Sequence, residues 1–506
     1  MRGKLFFGSL LLLASVPSLV LADRPVTITF LHNNDLHAHI EPVTIARKKY
    51  GGYARIATLI KQYRASDPNP VFLNAGDVFQ GTLYFNVYEG LADLSILNYM
   101  GVQAMAVGNH EFDRGPLPLA TFGKNATFPL ISSNINLDAE PSLKDLVRKS
   151  TVIDVAGEKL GIVGATTDSL LTIAVTGPTV TLNPLLASIQ KEVDALTSKG
   201  INKIVLLSHC GMEEDLALAK QLRNVDLIIG GHSHTPLGTP DLPGWPKARG
   251  PFPTIAKDAT GRDVPVFQTW EWGKVLGRFK VDFDEKGQIV RLYDNAPIVV
   301  DESIAEDPTV RSMVEALRRP IAELQDKAVG ETKSEILRSG KDSTAAQLIA
   351  DAMLLATEKQ GVVAAFTNGG GVRSGIDAGV ITYGEVISVT PFSNTLVILD
   401  ITGEQLLAAL KHGVTEGGTL LPSVGTSYRR GSGGVSEVVI AGKPIDPKAT
   451  YKICFNSFTA GGGDGHEVLK GVAKRTDTGI VDIEAMIEFI KAKSPLDLKP
   501  ENRVKG

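Results

Sequence analysis

The chain has 506 residues, more than one hydrophobic core ordinarily organises, so its length points to two domains. Lys and Arg number 52 against 56 Asp and Glu, a formal net charge of −4, with no basic arm and no aromatic-basic interleaving; binding to a nucleic-acid polymer has no electrostatic support. Two cysteines, Cys210 and Cys454, rule out a disulfide-built scaffold and leave open either one inter-domain bridge or two unpaired thiols.

Arg2 and Lys4 precede an apolar stretch from Leu5 to Leu21 that ends Val20-Leu21-Ala22, the pattern of a secretory leader over residues 1–22 cut after Ala22. No cysteine lies near that cut, and no later run approaches the ~20 apolar residues that cross a bilayer. The expectation is a periplasmic or secreted protein with no membrane anchor and no obligate protein partner.

Val26 to Leu31 reads as a buried strand and Val71 to Asn74 as another, with the helical spacing of YARIATLIKQYRAS between them. GTLYFNVYEGLADLSILNYMG reads as a helical segment leading to the strand AMAVG. PLISSN, KLGIVGAT, KIVLLSHC and VDLIIGG follow as strands, with PLLASIQKEVDALTSKG as a helix among them. Such alternation predicts layered α/β packing with functional groups on the connecting loops. EWGKVLGRFKVDFDEKGQIV resembles a hairpin around a DEKG turn that closes the first domain. Pro308 to Leu324 is a polar helix-forming connection, and STAAQLIADAMLLAT is a helix of the second domain. The domain expectation is 23–302, a linker over 303–329, and 330–506.

Metal-type ligands collect where the apolar runs end: Asp35 and His37 in LHNNDLHAH, Asp77 in FLNAGDVFQG, Asn109 and His110 in AVGNHEFD, His209 in LLSHC, and His232 and His234 in IIGGHSHT. A strand delivers side chains to one place at its end, so five strand ends can converge on one site. Imidazoles, carboxylates and an amide oxygen suit one or two ions of the Zn, Mn or Fe type. Asp35 and His37 alternate on a segment read as extended, so both can face one ion, and His232 and His234 share that spacing. Asp77, beside Gly76, can bridge two cations. His110 adjoins Asn109 and points elsewhere; Asp113, three residues on, can hold its imidazole in one tautomer and support positive charge on it. Cys210 faces away from His209 and is expected to pack.

In the second domain Asn368 and Arg373 flank a glycine cluster, and Arg338 precedes a helix; two arginines can hold a phosphate or a carboxylate. Phe392 in TPFSN and Phe458 in NSFTAGGGDG, with Asp464 nearby, can form a slot for a planar base, although core packing is an equal reading of either ring.

These motifs, in this order and spacing, resemble the bacterial periplasmic 5'-nucleotidase/UDP-sugar hydrolase family of the calcineurin-like metallophosphoesterases, and the likeness continues through NGGGVRSGI and VTPFSNTL. The resemblance implies an α/β protein: a layered β-sandwich metallophosphoesterase domain plus a smaller α/β (α+β) substrate-binding domain. It implies two divalent metal ions, Zn or Mn, one on Asp35, His37 and His234 and the other on Asn109, His209 and His232, with Asp77 shared. It further implies a catalytic dyad of His110 and Asp113, and a nucleobase sandwich of Phe392 and Phe458 with Arg338, Asn368, Arg373 and Asp464 on the nucleotide. His39 matches no ligand and is expected behind the site or on the surface. The expected substrate is a 5'-nucleotide or a nucleotide sugar. A 2',3'-cyclic-nucleotide 2'-phosphodiesterase/3'-nucleotidase is the alternative on the same architecture, a thiosulfate-oxidation hydrolase a more distant one. A non-catalytic exported nucleotide-binding protein is the alternative of another class, and the His110–Asp113 pair argues against it.

Overall fold

Hydrophobic alternation explains the first half of the fold. In the computed structural model, which describes residues 25–338 and 343–506, strand Val26–Asn33 puts Ile28 and Phe30 into one core and Leu31 into another. Strand Pro70–Asn74 divides Leu73 from Phe72 in the same way, and Ala104–Ala106 divides Ala106 from Met105. Successive strand side chains point to opposite faces, so a run apolar at every position must be covered on both. The inner face meets a second sheet; the outer face meets the helices Tyr53–Ser66 and Leu91–Met100. Each fully buried Leu or Phe contributes about 1.5–3 kcal/mol of transfer free energy to this arrangement.

Among the described residues the first sheet has seven strands, in the order Ile289–Val299, Val275–Phe283, Val26–Asn33, Pro70–Asn74, Ala104–Ala106, Leu130–Ile131 and Val147–Arg148. The second has six: Thr254–Lys257, Asp263–Phe267, Leu227–Ile229, Lys203–His209, Glu158–Thr166 and Ser150–Val155. The strands ahead of the ligand motifs run parallel to their neighbours, Val26–Asn33 with Pro70–Asn74 and Ala104–Ala106, and Lys203–His209 with Leu227–Ile229. Their C-terminal ends therefore emerge on one side. The expected hairpin closes the sheet edge, with Val26 opposite Phe283, and Asp284 tightens its turn by accepting from Lys286 and Gln288 N–H.

A second sheet system follows the connecting helix Pro308–Arg318, whose cap Asp307 accepts from Thr309 and Val310 N–H and binds Lys61. Among the described residues its main sheet has five strands, ordered Leu420–Pro422, Ala364–Asn368, Thr450–Asn456, Thr395–Thr402 and Arg475–Val481. Ala365, Ile398 and Cys454 face the helices Thr344–Thr357 and Asp482–Lys493, while Phe366, Leu399 and Phe455 face Gly403–Thr415. Capping boxes at Thr382/Glu385 and Thr402/Gln405 set two helix starts. The whole is a mixed α/β architecture of a large sheet-on-sheet unit and a smaller one.

Three details differ from the sequence reading. The segment GTLYFNVYEGLADLSILNYMG is two helices, Leu83–Tyr88 and Leu91–Met100, broken where Glu89 and Gly90 turn left-handed. A side chain at Gly90 would strike the Phe79 ring, so the break lets the ring pass. The hairpin strand begins at Val275, leaving Glu271 in the preceding loop. Asp35 and His37 are not on extended chain, as described below. The leader expected over residues 1–22 lies outside the described residues; among those described, no helix is long and apolar enough to cross a membrane. Cys210 and Cys454 are both buried free thiols.

Candidate metal centre

The ligand motifs meet at the ends of the five expected strands, but by turns rather than by alternation. Asp35 (φ 51°), His37 (48°), Asp77 (55°), His232 (74°) and His234 (47°) all adopt left-handed backbone. For non-glycine residues this is uncommon and costs on the order of 1–3 kcal/mol each, met here by the surrounding structure. Left-handed turns fold Asp35 and His37 back on themselves, correcting the extended reading. Neighbouring glycines keep the turns close: a Cβ on Gly231 would lie 2.7 Å from Ala75 O and 2.9 Å from His209 Nδ1, and one on Gly108 2.2 Å from Asp77 Oδ1.

Three groups of donors converge, each with its atoms within 4.8 Å of one another: Asp35, His37 and His234; Asp77, His209 and His232; and His37, Asp77 and His110. The orienting bonds decide what these donors present. His37 Nδ1 donates to Phe79 O (3.0 Å), His209 Nδ1 to Ala75 O (2.6 Å) and His234 Nδ1 to the Glu271 carboxylate (2.5 Å). Each Nε2 therefore turns a lone pair inward. His234 Nε2 then lies 3.1 Å from both His37 Nε2 and Asp35 Oδ1, and His209 Nε2 lies 3.0 Å from Asp77 Oδ2. His209 Nε2 and Asn109 Oδ1 are buried and without hydrogen-bond partners. Acceptors gathered with too few protons between them fit cations, and Asp77 stands between the two sets, its Oδ2 also 3.9 Å from His37 Nε2.

Burial, then the positive neighbours, keeps His37 well below the ordinary imidazole pKa; burial, then His209, lowers His232 to about 4, so both favour the neutral imidazole, the form that can ligate a metal. Burial acts the same way on His209 and His234, yet the facing carboxylates of Asp77 and Asp35 outweigh it and push both up, His209 to about 10. Positive charge is strongly favoured between these donors. The arrangement is a binuclear metal centre in its donor set and geometry.

His110 is held differently. Its Nδ1 meets Asp113 Oδ2 at 2.7 Å, and its Nε2 is 3.9 Å from Asp77. Burial opposes the imidazolium, but Asp113 and Asp77 prevail and raise its pKa.

A cavity of about 650 Å³ opens on this centre and is lined by Asp77, Asn109, His110, His232 and His234 from the first unit. Arg338, Asn368, Arg373, Phe392, Phe458 and Asp464 line it from the second. Arg373 reaches across to within 3.2 Å of His37 Nε2, and the Phe392 ring lies 5.9 Å from that of His110. Asp464 adopts φ 53°; its carboxylate accepts from Asn368 Nδ2 (2.8 Å) and its carbonyl from His412 Nε2 (2.9 Å). Gly463 is required beneath Phe458, since a Cβ there would sit 2.5 Å from the ring.

Sequence reasoning missed two carboxylates. Glu111 accepts from the backbone N–H of Gly108, Asp77, Val78 and Phe79 (2.6–3.2 Å), tying together the loops that carry Asn109 and Asp77. Glu271 orients His234 and contacts Arg338 (3.3 Å). An acid inside NHEF and another between two tryptophans were the available signals. Ser169, Ile173, Ala174 and Val175 also wall the cavity and carried no motif at all. His39 is buried behind the centre, its Nδ1 2.7 Å from His37 O and its ring stacked on Trp272.

Known proteins share this fold and domain order. The calcineurin-like phosphoesterase profile matches residues 28–236, and the 5'-nucleotidase C-terminal domain profile matches residues 322–471. Snake venom 5'-nucleotidase from Naja atra is 34% identical over 92% of this chain and 96% of its own. A crystal structure of a 5'-nucleotidase precursor from Thermus thermophilus is 41% identical, with a TM-score of 0.91 over 95% of this chain and 99% of that one. The trifunctional nucleotide phosphoesterase of Bacillus subtilis is 35% identical over 94% of this chain, which spans 35% of that longer protein.

Proposed function

The chain belongs to the 5'-nucleotidase family of calcineurin-like phosphoesterases, and from that premise we propose that it hydrolyses 5'-nucleotides to nucleoside and phosphate at a binuclear metal centre in an exported compartment. The observation that carries the reading is the single cavity holding both the convergent metal donors and the aromatic, carboxylate and guanidinium groups of the second unit. Residues 23–302 act as the catalytic domain, 303–329 as the connection and 330–506 as the specificity domain.

Asp35, His37 and His234 would hold one ion and Asn109, His209 and His232 the other, with Asp77 available to both; Zn and Mn both accept this N/O donor set. When bound, the ions supply Lewis acidity toward the phosphoryl oxygens and acidify the attacking water. Phe392 and Phe458 hold the base by stacking, while Asp464, fixed by Asn368, takes polar atoms of the nucleoside. Arg338 and Arg373 draw the phosphate toward the metal ligands. His110, fixed through Nδ1 by Asp113, keeps its Nε2–H for the ester oxygen and supports charge there as the P–O bond breaks. That oxygen takes the proton and leaves as the nucleoside hydroxyl. Nucleotide-sugar pyrophosphates are a second substrate class that this site accepts if the cavity admits the extension.

Purified protein is expected to release phosphate from 5'-AMP and to lose turnover on chelation. Turnover that persists after verified metal removal sinks the mechanism; preference for 2',3'-cyclic AMP in a panel with 5'-AMP, 3'-AMP and UDP-glucose moves the assignment to the cyclic phosphodiesterase.

A further inference from the structure

We propose that Glu271 is a positioning residue that couples the two units: it orients the metal ligand His234 and at the same time docks Arg338 of the second unit beside the metal centre. The proposal rests on the reading of the centre given above.

Glu271 is 3% exposed and lies between Trp270 and Trp272, both in left-handed backbone. The Trp272 N–H donates to Asp35 O (2.7 Å), so the loop carrying Glu271 is tied to the centre independently of its carboxylate. One carboxylate oxygen accepts from His234 Nδ1 (2.5 Å) and the other from Lys274 Nζ (3.0 Å). Arg338 Nη1 lies 3.3 and 3.4 Å from the two. Lys274 is 1% exposed, with its ammonium 3.3 Å from the centre of the Trp270 ring and 4.3 Å from that of Trp272. The Lys274 ammonium, held between the two rings, sets a buried positive charge against the Glu271 carboxylate beside those of its other two partners.

Two of the three partners come from the loop and centre of the first unit; Arg338 comes from the second. Arg338 and His234 also line both the cavity at the centre and a larger cleft of about 1160 Å³, so Arg338 stands between the two. It is one-third exposed, and among the described residues the hydrogen-bond partner of its guanidinium is Glu271. An arginine presented to phosphate from across a domain boundary is productive only when docked, and the carboxylate that docks it is the one that sets the tautomer of His234. Loss of Glu271 therefore weakens two separable quantities, metal affinity through His234 and anion affinity through Arg338.

The variants Glu271→Ala, Glu271→Gln and Glu271→Asp, each also in an Arg338→Gln background, are assayed for metal affinity by chelator competition. Affinity for inorganic phosphate is measured with metal saturating. Glu271→Ala is expected to lose ~10–100-fold in metal affinity. Glu271→Gln keeps an acceptor for His234 and is expected to hold metal within about tenfold of the parent while losing phosphate affinity at least ~5-fold; this second loss disappears in the Arg338→Gln background. Glu271→Asp keeps Lys274 paired, guards against misfolding, and is expected to show the same dependence on Arg338. Unchanged metal affinity in Glu271→Ala, or equal phosphate losses with and without Arg338, overturns the proposal. Neither arm uses turnover, so a parent protein inactive on 5'-AMP refutes the nucleotidase reading without touching this one.

Discussion

At the scale of single residues, chemistry follows from what the second ring nitrogen faces, since the imidazoles of His37, His110, His209 and His234 all engage Nδ1. His37, His209 and His234 spend Nδ1 on a carbonyl or carboxylate and bring Nε2 to 3.0–3.1 Å from another donor, whereas His110, with Nδ1 on Asp113, keeps Nε2 3.9 Å from Asp77 and its ring 5.9 Å from Phe392. That division predicts the outcome for His110→Ala: metal content stays close to that of the parent while turnover falls at least ~10²-fold, the usual range for a positioned acid–base group. The loss is expected to be larger for 5'-AMP than for p-nitrophenyl phosphate, whose leaving group needs less protonation. Metal analysis beside both rates checks it, and a variant that loses both ions with its fold intact makes His110 a ligand. The residue types were readable in the motifs. Their left-handed backbone was not, because a turn conformation depends on the partners that enforce it, such as Asp77 O accepting from His37 N–H and Val78 O from Ala38 N–H.

At the scale of elements, periodicity placed the helices Tyr53–Ser66 and Thr344–Thr357 and the strands that end at the ligands, because long apolar patterns leave few ways to bury them. It did not find the break at Glu89–Gly90, which answers to a ring packed from another segment. The helix after that break carries Asp93, a fully buried carboxyl that accepts from the Tyr53 hydroxyl at 2.6 Å and so joins two helices. Burial pushes its pKa up to about 7, against the pull of the Tyr53 hydrogen bond. A folded acid that keeps its proton to about pH 7, where the unfolded one has lost it near pH 4, favours the folded state at low pH; that advantage is lost as pH rises between the two values. Asp93→Asn is neutral at every pH. Its stability relative to the parent is expected to improve by a few kcal/mol from pH 4 to pH 8, read from denaturation midpoints of the two proteins freed of metal. A relative stability flat across that range refutes a protonated Asp93.

At the scale of the whole molecule, the proposed nucleotide site exists only because two units face each other. The proposed metal ligands end at His234, the proposed nucleotide contacts begin at Arg338, and the cavity takes walls from both. Replacing both Phe392 and Phe458 by Ala is expected to remove most of the preference for 5'-AMP over p-nitrophenyl phosphate, with KM for the nucleotide rising ~10-fold or more, since base–aromatic stacking is worth about 1–3 kcal/mol per base. Slow hydrolysis of the aryl phosphate should remain, because no proposed metal donor and neither member of the proposed dyad changes. Discrimination equal to the parent's refutes the stacking slot and returns both rings to the packing reading.

The sequence by itself determined the layered α/β class, the order of the main strands and helices of the first unit, and the donor types gathered at five strand ends. These are local quantities: hydrophobic period, turn residues and short motifs are each contained in a window of about 20 residues. Only the tertiary structure decided the left-handed turns that aim the candidate donors, the wall at Ser169 and Ile173–Val175, and the contacts of Glu111 and Glu271. Glu111 acts on backbone more than 30 residues away, and Glu271 meets an arginine 67 residues later. A carboxylate's role is set by which donors surround it once burial has removed water, and donors so far apart in the chain become neighbours only when the sheets have stacked and the two units have closed on one cavity.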